Sequence, residues 1–255
     1  MSKDFKETPS FYNNEEVFKK YLGNTSYYIG LQQTVLKLIS LAVPDSVLEL
    51  GAATGSTSIM IANEFPEVQV TGVDMRHEVV DIANAAAAEI PNVSFTTADM
   101  MDISRQPIAA DFVVLLYSFH HILDPLDRKV EFLQNMYMSM KSKTFICIAE
   151  TFLPKVSDVA SISALWAERK DEGYYSTFWS ALSGLDTESL EQAKAVGTYC
   201  RRNETLAGKL VAARDNEYLV TRQWLGDTAQ QVGFEVLINE GINTIGDGVV
   251  LLYKH

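Results

Sequence analysis

Ser46-Val47-Leu48-Glu49-Leu50-Gly51-Ala52-Ala53-Thr54-Gly55-Ser56-Thr57 is the stretch whose reading decides the fold. Val47, Leu48 and Leu50 make a short apolar run suited to a strand buried in a sheet. Residues with tiny or no side chains follow, and beyond them Ile59-Met60-Ile61-Ala62 is apolar at helical spacing. A strand-to-helix turn of glycine and alanine lets backbone N–H groups approach a ligand at the positive end of the helix dipole. Glu49, at the end of the strand, narrows the choice of ligand: a carboxylate repels phosphate and pairs with a cationic amino group. The turn also departs from the dinucleotide fingerprint G-x-G-x-x-G, because its glycines are Gly51 and Gly55 only. A tight structural turn in some other α/β protein is the plain alternative.

Glu49-Leu50-Gly51-Ala52-Ala53-Thr54-Gly55 resembles the first motif of class I S-adenosylmethionine-dependent methyltransferases, E/D-x-G-x-G-x-G, in their small-molecule type. Ala53 replaces the middle glycine, a departure of one methyl group that should be tolerated. The resemblance implies an α/β, Rossmann-like fold with a mostly parallel seven-stranded sheet and one antiparallel strand near the C-terminus. It also implies S-adenosylmethionine as cofactor, S-adenosylhomocysteine as product, and Gly51, Ala53 and Gly55 as the backbone that meets the cofactor.

The next strands repeat the pattern of an acid at the end. Glu67 to Asp74 reads as a second buried strand, and Asp74 lies nineteen residues past Gly55, one helix plus one return strand. An acid there accepts hydrogen bonds from both ribose hydroxyls, each contributing about 1.5–3 kcal/mol. Capping the helix that starts near His77 is its alternative role. The family packs an apolar side chain against the adenine where Met75 stands. The alanine-rich run Val79 to Ile90 predicts a helix, and Val93 to Ala98 a third strand followed by Asp99. In the family that position binds the exocyclic amino group of adenine, and Met100 would offer a backbone N–H to a ring nitrogen. Three successive strands thus end in acids at the edge where open α/β sheets bind ligands, one each for amine, ribose and adenine.

Asp111 to Tyr117 is a near-continuous apolar run, a fourth strand buried on both faces. Tyr117 joins the cofactor-binding residues that the resemblance implies. Ser118-Phe119-His120-His121 follows, and many small-molecule methyltransferases have a similar strand with a histidine-bearing turn after it. His120 or His121 would then face the methyl donor. A histidine titrating near neutrality can act as general base, worth about 10²–10⁴-fold; packing or capping is the alternative. Neighbouring histidines do not easily share one metal ion, and with no matching ligand set no metal is expected. The fifth strand, Lys143 to Glu150, again ends in an acid, which could orient a polar substrate, act as base or serve as a structural carboxylate.

Residues 1–45 read as an amphipathic helical cap, with Phe18, Tyr21 and Leu22 on one face and Leu31, Val35, Leu36 and Ile39 on another. Similar methyltransferases often place a tyrosine from this region over cofactor or substrate, which singles out Tyr28. The cofactor-binding core spans 46–150. Residues 151–216 form a helical insertion rich in aromatics (Trp166, Tyr174, Tyr175, Phe178, Trp179), expected to cover the substrate side of the cleft. Its own core or a homodimer surface is the other use of those side chains. Residues 217–255 supply a last helix and a loop-joined strand pair, which makes one strand antiparallel.

A net charge of −12 excludes nucleic acid and anionic membrane surfaces as partners better than it names any. Only two cysteines occur, Cys147 and Cys200, and no signal peptide or membrane-length apolar run is evident, so a cytoplasmic protein is expected. The activity expected is in-line methyl transfer to an oxygen, nitrogen or carbon nucleophile of a small molecule. A non-catalytic methyltransferase-like binding or interaction module is the alternative. A nicotinamide dehydrogenase is opposed by the missing G-x-G-x-x-G and by Glu49 and Asp99. Protein or nucleic-acid methylation is opposed by the acidity and by Tyr117-Ser118-Phe119-His120 standing where an Asn-Pro-Pro-Tyr-like motif would be.

Overall fold

A computed structural model of the protein describes residues 26–122, 126–152, 220–242 and 247–255. The expectations for Phe18, Tyr21, Leu22, the 151–216 insertion beyond Phe152 with its aromatics, Cys200 and the start of the last helix at Tyr218 lie outside the described residues. Within them the chain runs α1 (Ser26–Ala42), β1 (Ser46–Leu50), α2 (Ser56–Glu64), β2 (Gln69–Asp74), α3 (His77–Ala86), β3 (Val93–Thr97) and a short α4 (Met100–Ile103). It continues through β4 (Phe112–Leu116), a 3₁₀ turn (Phe119–His121), α5 (Leu126–Ser139), β5 (Thr144–Thr151), α6 (Arg222–Val232), β6 (Glu235–Gly241) and β7 (Asp247–Lys254).

The seven strands form one sheet in the order β3-β2-β1-β4-β5-β7-β6. Strands β1 to β5 pair in parallel, and β7 runs antiparallel to both β5 and β6. This is the mostly parallel sheet with one antiparallel strand that the resemblance implies. Side chains alternate across a strand, so the apolar runs supply two cores at once. Leu48, Leu50, Val113, Leu115, Ile146 and Ile148 face α5 and α6. Val47, Phe112, Val114, Leu116 and Cys147 face α1 and α2. All five residues of β4 are buried, as a central strand covered on both sides requires.

Several element bounds differ from the sequence expectation: β2 starts at Gln69 rather than Glu67, β3 ends at Thr97 rather than Ala98, and two elements shift further. Helix α3 covers His77–Ala86 rather than Val79 to Ile90. Pro91 disfavours helical backbone at Ile90. In addition, the Asn92 side-chain amide donates to the carbonyls of Ala62, Phe65 and Val68, which draws the chain back under the end of α2. Strand β6 starts at Glu235, not at Gly233, because Gly233 at φ 122° terminates α6.

Helix α1 ends on Val43, which has φ 47° and is 80% exposed. A β-branched residue is disfavoured there, whereas glycine ends helices in this way without a Cβ penalty. Val43→Gly is therefore expected to raise unfolding stability by about 1 kcal/mol, measured by urea denaturation; a loss of stability would show that the valine methyls pack usefully. No helix among the described residues is long and apolar enough to cross a membrane.

Candidate active site

The parallel strands deliver their carboxyl ends to one rim. At its centre the turn after β1 is fastened to the end of β2: the N–H groups of Gly51 and Ala52 both donate to Val73 O, at 2.7 and 2.9 Å. Gly51, Ala53 and Gly55 have φ of 81°, 48° and 82°. A Cβ on Gly51 would lie 2.4 Å from Ser118 Cβ, and one on Gly55 2.5 Å from Phe95 Cζ, so both glycines answer to space as well as to dihedral. Ala53, a non-glycine residue at φ 48°, carries a left-handed backbone that costs about 1–2 kcal/mol. The methyl group that replaces the motif's middle glycine is carried under strain.

Asp74, at the end of β2, accepts from Ala53 N at 2.9 Å through Oδ2 and from Arg76 N at 3.0 Å through Oδ1. It does not cap α3, whose N-cap position is Arg76 and has no side-chain bond. The carboxylate thus holds the glycine turn and stands at the rim together. Met75 beside it is 47% exposed. Asp99 is exposed on the same rim, and its Oδ1 accepts from Met101 N at 2.8 Å. The Met100 Cε lies 3.6 Å from where a Gly51 Cβ would be, which brings Met100 to the turn.

Glu49 is 2% exposed and its Oε2 accepts from Ser58 Oγ at 2.5 Å. The carboxylate that the sequence aims at a ligand amine is turned onto the first turn of α2. Burial pushes its pKa up to about 7; the Ser58 hydrogen bonds pull against that rise, and the charge of Asp74 adds to it. Tyr28 reaches the same helix turn from α1, its hydroxyl 3.1 Å from Thr57 Oγ1 and 3.3 Å from Ser56 Oγ. Burial, with the charge of Glu49, raises that phenol to about 12. Its ring stacks on Tyr117 at 5.7 Å and 15°. Tyr117 has φ 50°, so a second strained non-glycine residue stands at the rim.

After β4, Ser118 Oγ donates to Leu50 O at 2.6 Å and ties the histidine turn to the glycine turn. His120 and Glu150 then meet across thirty residues of sequence. Glu150 Oε2 lies 2.9 Å from His120 Nδ1 and accepts from the His120 backbone N at 3.2 Å, while Oε1 accepts from Thr151 N at 2.8 Å. Both side chains are largely buried. The carboxylate assigns the proton to Nδ1 and makes Nε2 the acceptor nitrogen of the ring. The His121 ring lies 4.0 Å from that of His120. Its pKa is held well below the ordinary histidine range by burial first, then by the charges of His120, Lys129 and Arg76.

Two functional-rim residues escape the sequence reading. Lys129 is fully buried in α5 and donates to Phe119 O and Ile122 O. Its signal is its place on the apolar stripe with Phe132, Leu133 and Met136, where a lysine is out of pattern. Asp247 opens β7 opposite Thr151, whose Oγ1 donates to Asp247 Oδ1 at 2.5 Å; in the sequence it is one more loop acid between glycines. Among the described residues no group of three or more His, Cys, Asp or Glu is arranged to hold a metal ion.

Residues 47–143 match a family model described as Methyltransferase domain. A release factor glutamine methyltransferase of Koribacter versatilis is 33% identical over 85 residues, which are 33% of this chain and 30% of that protein. A caffeic acid 3-O-methyltransferase of Capsicum annuum is 25% identical over 117 residues, 46% of this chain and 30% of that one. The chain thus spans less than a third of the length of these curated relatives. The crystal structure of human N-acetylserotonin methyltransferase in complex with SAM is similar with a TM-score of 0.57 and 16% identity, over 95% of this chain and 56% of that one. At that identity the likeness shows the fold, a Rossmann-like methyltransferase sheet.

Proposed function

We propose that the chain binds S-adenosylmethionine at the rim formed by β1 to β4 and directs its methyl group to a hydroxyl of a small molecule. The observation that carries the reading is the His120–Glu150 pair placed one hydrogen bond, through Ser118, from the glycine turn. The methyltransferase domain over residues 47–143 supports the cofactor, and the O-methyltransferase relatives support an oxygen acceptor.

The residues present fit the cofactor chemically. A turn with three left-handed residues exposes backbone close to a ligand. Asp74 suits the ribose hydroxyls, Asp99 the adenine amino group and Glu49 the ammonium. Met75 and Met100 give the adenine apolar sides, and Tyr28 with Tyr117 walls the turn. Bound S-adenosylmethionine supplies a methyl group already activated by the sulfonium. What is left to the chain is alignment, which can supply effective molarities of order 10⁵–10⁸ M, and removal of the acceptor's proton. His120 Nε2 receives that proton while Glu150 holds Nδ1–H. Residues 151–216 would cover the acceptor, and the low cysteine content suits a cytoplasmic setting.

Calorimetry with S-adenosylhomocysteine tests the reading. The parent should bind, and Asp74→Ala should lose about tenfold or more in affinity, 1.4 kcal/mol, while circular dichroism shows a folded chain. Absence of binding by the parent would overturn the proposal, and unchanged affinity in the variant would remove Asp74 from the ribose.

A further inference from the structure

The geometry points to Lys129 as the positioning residue that fixes the His120–His121 turn, an inference that rests on the part given above to His120. Lys129 is 0% exposed and lies on the apolar stripe of α5 with Phe132, Leu133 and Met136. An ammonium withdrawn from water is costly unless it is hydrogen-bonded, and a well-packed apolar residue at such a place is often as stable or more so. Here the ammonium donates to Phe119 O at 2.7 Å and Ile122 O at 2.5 Å, and it sits 4.8 Å from the centre of the Phe119 ring. Those two carbonyls bracket the histidines on either side.

A three-residue 3₁₀ turn has little internal support. Its own backbone bonds are His121 N to Ser118 O at 3.1 Å and Ile122 N to Phe119 O at 3.2 Å. Among the described residues the turn is held from outside by the bond of Ser118 Oγ to Leu50 O and by two further grips. Glu150 grips the His120 backbone and ring from β5, and Lys129 grips both ends from α5. With Lys129 gone, Phe119 O keeps only the N–H of Ile122, Ile122 O loses the ammonium, and the grip of α5 on the turn is lost.

The same cation acts on the second ring. Among the described residues, the charged and titratable groups facing His121 are His120 on its own turn, Lys129 from α5 and Arg76 after β2, with Glu150 of β5 reaching it through His120. Burial first, then any proton that His120 carries, and the cations Lys129 and Arg76 disfavour an imidazolium at His121. Lys129 thereby adds to the burial that keeps His121 neutral, while His120 faces a carboxylate. A residue that only filled the core would not affect how His121 titrates.

The experiment compares the full chain with Lys129→Met and Lys129→Gln by ¹⁵N-imidazole NMR titration, with S-adenosylhomocysteine affinity measured alongside. In Lys129→Met, His121 should protonate at higher pH than in the parent, and the His120 ring signals should move. Affinity for S-adenosylhomocysteine should stay within about threefold, because no cofactor residue is touched; that is under 0.7 kcal/mol. Lys129→Gln, which keeps an N–H donor without the charge, should return the His120 signals toward the parent while His121 keeps its raised pKa. Imidazole titrations of either folded variant that superimpose on the parent would overturn the inference, as would a collapse of affinity that tracks the histidine changes. If Lys129→Met does not fold, the glutamine variant decides. A parent that fails to bind S-adenosylhomocysteine sinks the cofactor reading, while the titrations still test Lys129.

Discussion

Glu49→Gln is expected to make the free protein harder to unfold above pH 7 while weakening S-adenosylhomocysteine binding about tenfold, 1.4 kcal/mol. The two effects share one cause, a carboxyl group buried beside the glycine turn and raised from 4.5 to about 7. Below pH 4.5 the group is neutral in both folded and unfolded chain and pH has no leverage through it. Between about 4.5 and 7 the unfolded chain has released a proton that the folded chain still holds, so stability falls as pH rises. Above about 7 the penalty is constant at about 3 kcal/mol. Glutamine still accepts the Ser58 hydrogen bond through its amide oxygen and carries no charge, so the slope disappears. Its NH₂ must find a partner, which returns part of the gain and leaves about 1–2 kcal/mol at pH 8.

The affinity falls because the cationic amine of the ligand loses its counter-charge. In the parent the same amine should draw the proton off Glu49, so binding near pH 6 releases a proton and its enthalpy depends on the buffer. Urea titrations at pH 5 and pH 8, with calorimetry in two buffers, read both effects. Equal pH slopes for parent and variant, or a variant that binds as the parent does, would remove Glu49 from the account.

Strand ends are legible in this chain because two local signals coincide there. An apolar run of five or six residues marks a strand buried on both faces, and the polar residue that breaks the run marks the rim. Glu49, Asp74 and Glu150 follow that pattern, whereas Asp99 comes after a strand in which only Phe95 is buried, and the parallel register puts all four on one edge. What each acid bonds to was not legible. Glu49 turns to Ser58 nine residues on, and Glu150 to His120 thirty residues back. Choices of that kind depend on which side chains the sheet order brings together, and β4 lying between β1 and β5 is fixed by packing rather than by any local pattern. Lys129 shows the opposite case. Its place in the heptad-like spacing of α5 marks it as buried, but a lysine is read as solvent-facing by habit, and the periodicity was the better guide. The strain at Ala53 and Tyr117 has no sequence signal, since neither residue type announces a left-handed backbone.

The largest loss of turnover is expected from His120→Ala, about 10²–10⁴-fold in kcat, with S-adenosylhomocysteine affinity held within about threefold. An alcohol or phenol must shed its proton as the new C–O bond forms; in the proposed function His120 Nε2 would accept it, with Glu150 holding Nδ1 at 2.9 Å. Glu150→Gln leaves a neutral amide that can still accept from Nδ1–H, but it no longer stabilises the imidazolium formed when the proton arrives. Its loss should be smaller, about 10–10³-fold, and should come in kcat rather than in KM. His121→Ala should cost far less, because burial first, then any charge on His120, and the cations Lys129 and Arg76 keep that ring from taking a proton. The measurement is S-adenosylhomocysteine formed with any hydroxyl-bearing acceptor that the parent methylates. A more acidic phenol as acceptor should narrow the gap between His120→Ala and the parent, since an acceptor already ionised needs no base. If the gap is the same for acidic and weakly acidic acceptors, His120 only shapes the site. If His121→Ala is the more damaging change, the base lies on the neighbouring ring and the hydrogen bond to Glu150 is structural.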